Sequence, residues 1–156
     1  MKPFAQIIYI NIVKEVIVII TKDLIPGINI RDEKSNRFAI MICNGTKTIE
    51  TRNTNSLKPY INKRVRAIRT GISPPLIVGE FTLGEPIFYS TEEEFIRDTE
   101  KHKITKESKF YFNEKGKYGY PIINPTLYQK PYKPIGKSSI IARKNQPYID
   151  IQDLCT

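Results

Sequence analysis

A chain of 156 residues with 40% hydrophobic and 10% aromatic content can bury its own core without a metal or disulfide staple, so one domain over 1–156 is expected. Two cysteines, Cys43 and Cys155, build no disulfide framework, and the only histidine, His102, leaves no metal-ligand set, so no metal or cofactor is expected and a reducing cytoplasm is the expected compartment. A formal charge of +9 points to a polyanionic partner.

The chain opens on Ile7-Ile8-Tyr9-Ile10 and then Val16-Ile17-Val18-Ile19-Ile20, two β-branched runs that predict strands with a charged turn at Lys14-Glu15. Those charges also break the apolar stretch from Phe4 to Ile20, which is shorter than the ~20 apolar residues of a membrane-spanning helix, so no membrane partner is expected. This β extension, residues 1–24, presents a strand edge suited to pairing with a second copy as a homodimer.

Pro26-Gly27 marks a turn, and Ile28 to Arg31 predicts a short strand. Asp32 is placed to cap a helix from Glu33 to Cys43, in which Phe38, Met41 and Ile42 share one face; Asn44-Gly45 ends it. Lys47 to Arg52 alternates as a strand, with Thr48, Glu50 and Arg52 on one side and Lys47, Ile49 and Thr51 on the other.

A polar loop runs through Pro59, and further strands are predicted at Arg64 to Arg69 and Leu76 to Leu83, with a bulge at Gly79. Thr91 and Glu94 form a capping box opening a surface helix that ends near His102. Closing strands are expected at Lys117 to Ile123 and Gly136 to Arg143, joined by the Pro-rich loop Pro125 to Pro134. The whole predicts a mixed α+β, β-rich chain with two short helices beside a small closed barrel, closure being one way to remove exposed edges.

The charge is unevenly placed. Between Glu50 and Glu80 there is no acid, and Arg52, Lys58, Lys63, Arg64, Arg66 and Arg69 are all basic. Between Glu114 and Asp150 the same holds for Lys115, Lys117, Lys130, Lys133, Lys137, Arg143 and Lys144, interleaved with Tyr118, Tyr120, Tyr128, Tyr132 and Tyr148. The intervening stretch is acidic. Cations beside aromatic faces suit single-stranded nucleic acid, where stacking supplies affinity and the cations hold phosphate; the alternative is a solvated basic surface with tyrosines filling gaps in the fold.

The order of a short strand, a helix closing on Asn44-Gly45, and then Thr46-Lys47-Thr48-Ile49-Glu50-Thr51-Arg52 resembles the ASCH domain, whose hallmark is a helix closing on a G-x-K-T-x-E-x-R strand. Tyr118-Gly119-Tyr120-Pro121-Ile122-Ile123-Asn124-Pro125, followed by Pro134-Ile135-Gly136-Lys137, is similar to that family's aromatic closing segment, with Tyr118 or Tyr120 in place of its usual tryptophan. The resemblance covers a core of residues 28–144, leaving 145–156 as a tail. It implies a PUA-like β-barrel with a cleft beside the motif strand and an association with RNA.

The expected function is therefore an RNA- or nucleotide-binding module recognising single-stranded or modified nucleic acid in a basic, Tyr-lined cleft. The residues expected to bind ligand are Lys47, Thr48, Glu50, Arg52, Lys63, Arg64, Arg66, Tyr118, Tyr120 and Lys137. Some members of the family are hydrolases, acting as ribonucleases or as amidohydrolases on acylated nucleosides through a Lys, Thr and Glu set. Here Glu50 occupies the position of that threonine, so an enzyme would rest on Lys47 and Glu50 with Thr48, Thr51 being expected on the far face of the strand. A protein-interaction adaptor is the third reading.

Overall fold

The computed structural model describes residues 7–12, 15–20, 24–72 and 74–148, the first two stretches as backbone alone. Cys155 and the rest of the expected tail from residue 149 lie outside them. Strands β1 (Ile7–Ile12) and β2 (Glu15–Ile20) pair antiparallel from Ile7 opposite Ile20 to Ile12 opposite Glu15, the hairpin that their β-branched runs predict. They form a two-stranded sheet of their own.

The body is built on β3 (Ile25–Arg31), β4 (Ile49–Arg52), β5 (Arg64–Thr70), β6 (Leu76–Leu83), β7 (Ile87–Tyr89), β8 (Lys117–Tyr132) and β9 (Ala142–Gln146). The sheet order is β4-β8-β6-β5-β3-β9, with β7 also paired to β8. Only β3 and β5 run parallel. The start of β8 pairs with β4 and β7 and the rest with β6, so this one strand ties the motif segment to the main sheet.

The sheet is not closed into the barrel expected from the sequence. Among the described residues no ladder joins the outer strands β4 and β9. Strand β4 is only four residues long, and a side chain links it to β3: Arg52 Nη2 donates to the Asn29 carbonyl at 2.7 Å.

The Pro-rich loop expected after Ile123 is instead the continuation of β8. Its prolines are tolerated because the register against β6 shifts between Ile77/Gly79 and between Glu80/Thr82, leaving Pro125 and Pro131 outside the paired positions. The final strand likewise falls at Ala142–Gln146, later than expected.

Among the described residues there are three short α-helices rather than two: α1 (Phe38–Cys43), α2 (Glu92–Arg97) and α3 (Thr99–His102). Helix α1 starts late because the Glu33 and Asn36 backbones bond to each other at 3.0 and 3.2 Å in a tight turn. Asp32 still serves the helix start, its Oδ1 accepting from the Ala39 N–H at 3.1 Å. Gly45 leaves the helix at φ 84°, the left-handed conformation expected there. The capping box at Thr91 and Glu94 is present, but the predicted single helix breaks at Asp98, whose carboxylate accepts from the Tyr89 hydroxyl at 2.7 Å.

The core is formed by Ile28, Ile30, Phe38, Ile42, Val65, Ala67, Phe81, Phe95 and Tyr120. Helix α1 lies close over β6, where a side chain at Gly79 would meet Cys43 Sγ at 2.6 Å and the Thr126 carbonyl at 2.2 Å. The bulge predicted at Gly79 falls beside it, since Ala67 pairs with Gly79 and Ile68 with Ile77.

Candidate functional site

The turn at Gly45 delivers Lys47 onto the floor of a cleft of about 200 Å³. Arg31 at the end of β3, Phe38 of α1, Lys47, Glu50, Thr51, Arg52 and Asn53 of the motif segment, Ile104 and Phe110 of the α3–β8 connection, and Lys117 of β8 line it. Four cations thus surround one carboxylate.

The charges are held in place. Lys47, 1% exposed, donates its Nζ proton to the His102 carbonyl at 2.5 Å, and the same Nζ is 3.8 Å from Glu50 Oε2 and 5.2 Å from the centre of the Phe38 ring. Glu50 Oε1 forms an ion pair with Arg52 Nη2 at 3.1 Å. Lys117 donates to the Phe110 carbonyl at 2.5 Å.

Burial is the main reason that the Lys47 ammonium loses its proton more easily than usual, at about 8; Glu50 opposes the shift, while Arg52 and Lys117 add to it. Burial also pushes Lys117 down, again opposed by Glu50. The cleft therefore holds partly desolvated positive charge that an entering anion would stabilise.

His102 is not on the surface as expected. It is fully buried, stacked on Phe95 with ring centroids 4.0 Å apart. Its Nδ1 accepts from the Ile104 N–H at 3.0 Å, which leaves the Nε2 proton to be donated to the Phe95 carbonyl at 2.7 Å. Burial keeps the ring neutral, lowering its proton affinity to about 4.

Of the residues expected to bind ligand, the fold brings Lys47, Glu50 and Arg52 into this cleft. Thr51 lines it while Thr48, exposed, does not, because the chain is still turning into β4 at Thr48, whose N–H donates to the Lys101 carbonyl. No tyrosine lines it. Tyr120, opposite Glu50 in the β4–β8 ladder, is fully buried in the core, and Tyr118, opposite Arg52, packs against Phe88 at 5.0 Å. The aromatic lining is Phe38 and Phe110, whose rings meet edge to face at 6.3 Å.

Arg64 and Arg66 lie elsewhere. Val65 and Ala67 point into the core, so the two arginines project from the other face of β5. There Arg64 Nε donates to Glu80 Oε2 at 2.6 Å and Arg66 Nη1 to the Tyr128 hydroxyl at 2.6 Å, with Tyr128 in turn donating to Glu80 Oε1 at 2.8 Å. Lys63 and Lys137 are exposed and line no part of the cleft. The two basic blocks therefore meet at the motif through Arg52 and Lys117 only.

Arg31, Phe38, Asn53, Ile104, Phe110 and Lys117 are cleft residues that the motif did not indicate. The second basic block contained Lys117, but nothing local distinguished it from its neighbours. Among the described residues, no three His, Cys, Asp or Glu side chains gather where they could hold a metal ion, and no helix is long and apolar enough to cross a membrane.

No protein-family model matches the sequence, and no curated protein is detectably similar to it. Among solved structures, the chain is similar to the ASCH protein of Zymomonas mobilis, with a TM-score of 0.55 and 16% identity over 69% of this chain and 73% of that one. Two single-substitution variants of the Zymomonas protein, a serine-to-alanine and a tyrosine-to-phenylalanine, match at 18% identity with TM-scores of 0.55 and 0.54, over 69% of this chain and 73% and 75% of theirs. These matches assign the chain the ASCH-domain fold.

Proposed function

We propose that this chain is an RNA- or nucleotide-binding module whose ligand enters the Lys47 cleft. The observation that carries this reading is the excess of cation there: Arg31, Lys47, Arg52 and Lys117 face a single acid, Glu50, beside the rings of Phe38 and Phe110. The cations hold phosphate, an aromatic face stacks on a base, and the carboxylate accepts from a base N–H. A volume of about 200 Å³ is small for a ligand pocket and suits a single nucleotide unit splayed from a strand. The Zymomonas relatives support the reading through their shared fold.

The test is fluorescence anisotropy with a labelled single-stranded RNA decamer at low and moderate salt. Binding should weaken as salt rises, and Lys47→Met should lose about tenfold in affinity, the scale of one desolvated charge-assisted contact. A decamer bound equally by wild type and Lys47→Met places the RNA elsewhere.

A hydrolase is the second reading, favoured by one observation. Lys47, depressed to about 8, sits 3.8 Å from Glu50, and Thr51 lines the same cleft, a candidate for the role first sought at Thr48. Product release from an acylated nucleoside or RNA, lost in both Lys47→Met and Thr51→Ala, would replace the binding module with this enzyme.

A further inference from the structure

We propose that His102 is a positioning residue for the cleft: its neutral imidazole, braced at both nitrogens, sets the carbonyl on which the Lys47 ammonium is seated. The inference rests on Lys47 being a ligand-contacting group, and it assigns a role to a buried histidine that is not itself part of the cleft lining but bonds to two residues that are, Lys47 and Ile104.

The geometry is a short chain of contacts. Lys47 Nζ donates to the His102 carbonyl at 2.5 Å. The next residue, Lys103, lies at φ 62°, in the left-handed region that a lysine adopts only with support. That support comes from the His102 ring, whose Nδ1 receives the Ile104 N–H at 3.0 Å and so closes the turn across Lys103. At the other end Nε2 donates to the Phe95 carbonyl of α2, and the ring face lies on Phe95 with its edge toward Tyr89.

Ring, turn and carbonyl thus form one strut. Ile104, the residue that it clamps, lines the cleft beside Lys47, so the strut places both a wall and a charge. A neutral ring is required, because protonation at Nδ1 would remove the acceptor for Ile104. The charged groups around Lys47 are Glu50 and Arg52 from β4 and Lys117 from β8; α1 offers only the Phe38 ring. The charged groups acting on His102 are Lys47, Asp98 and Lys117. Burial is the dominant cause of the low Lys47 proton affinity, so a loosened wall that admits water would raise it.

The direct test is a pH titration of the full chain carrying 13C-labelled lysine, following the Lys47 Cε resonance without any ligand. Wild-type Lys47 should titrate near about 8. His102→Leu removes both ring contacts and should raise that midpoint by about one unit or more, with Lys117, seated on the Phe110 carbonyl, unmoved. His102→Asn keeps an acceptor near the Nδ1 position and should hold the wild-type midpoint. If the leucine variant fails to fold, His102→Gln serves, since it can still donate to Phe95 but leaves the Ile104 N–H unmet.

A folded leucine or glutamine variant whose Lys47 midpoint is unchanged or lower overturns the inference, as does an asparagine variant that titrates like them. RNA-decamer anisotropy on the same variants separates the two claims. A raised midpoint with wild-type RNA affinity sinks the binding reading of the cleft and leaves the strut intact. An unchanged midpoint with Lys47→Met still defective in RNA binding does the reverse.

Discussion

Two clusters in this molecule have similar ingredients and different balance, four cations to one carboxylate in the first and two to one in the second. In the cleft, Lys47, Arg52, Lys117 and Arg31 surround Glu50; on the other face of β5, Arg64 and Arg66 share Glu80 with Tyr128. In the second cluster the guanidiniums are spent inside the protein: Arg64 also donates to the Asn124 carbonyl at 2.5 Å, and Arg66 to the Gln146 carbonyl at 3.2 Å. The cleft holds more positive charge than its one carboxylate balances, and it is open. A basic residue count therefore does not identify a binding surface; what matters is whether the fold has already paired the charge.

The comparison breaks most visibly at Glu80. Glu80→Ala should destabilise the protein by about 3 kcal/mol, because it removes the carboxylate that Arg64, the buried Arg66 and the Tyr128 hydroxyl share, and chemical denaturation would read the loss. RNA affinity of the folded fraction should not change. If affinity falls instead, the outer cluster is part of the ligand surface and the distinction is wrong.

At the cleft the expected order is reversed. Arg52→Ala should weaken RNA binding by about tenfold while costing about 1 kcal/mol or less in stability, since Arg52 is partly exposed and its bond to the Asn29 carbonyl is a single contact.

Acid should separate the scaffold from the site. The His102 ring binds its proton at about 4 when folded and near 6.5 when unfolded. Between those values the unfolded chain carries more protons, so stability falls as pH drops from about 6.5 toward 4, by at most about 1.4 kcal/mol per unit. Thermal melts across that range should show it in wild type and not in His102→Asn. For Lys47 the same reasoning gives the opposite flank: its lowered affinity makes stability rise between about 8 and the ordinary lysine value of 10.5, while RNA affinity declines as the ammonium is lost.

The smallest effects belong to the residues that the fold leaves outside both clusters. Lys63→Ala and Lys137→Ala should change stability by less than about 0.5 kcal/mol and RNA affinity by less than about twofold. A larger loss for either would extend the interface beyond the cleft.

Much of the local structure was legible in the residues. The β-branched runs at Ile7 and Val16, the capping box at Thr91, the left-handed Gly45 and the bulge beside Gly79 all follow from short-range sterics and hydrogen bonding, which a few neighbouring residues determine. So did the centre of the cleft, because Lys47, Glu50 and Arg52 lie within six consecutive residues at the turn into β4 and on β4 itself. The tyrosines were the misleading signal. Tyr120 looked like a stacking face only because strand alternation by itself does not say which face is core, and tertiary packing put it there.

Sequence alone determined the N-terminal hairpin, the left-handed turn at Gly45 and a short strand carrying Glu50 and Arg52 just after Lys47, because each is a property of neighbours along the backbone. The turn expected at Pro26-Gly27 and the loop expected from Pro125, by contrast, are strand in β3 and β8. Tertiary structure decided that Phe110 and Lys117 join the motif segment while Arg64 and Arg66 are bonded to Glu80 on the other face of β5. It also left the sheet open and buried a histidine beneath the cleft. These depend on contacts between residues tens of positions apart, and on which side of a strand is dry, and no local pattern encodes either.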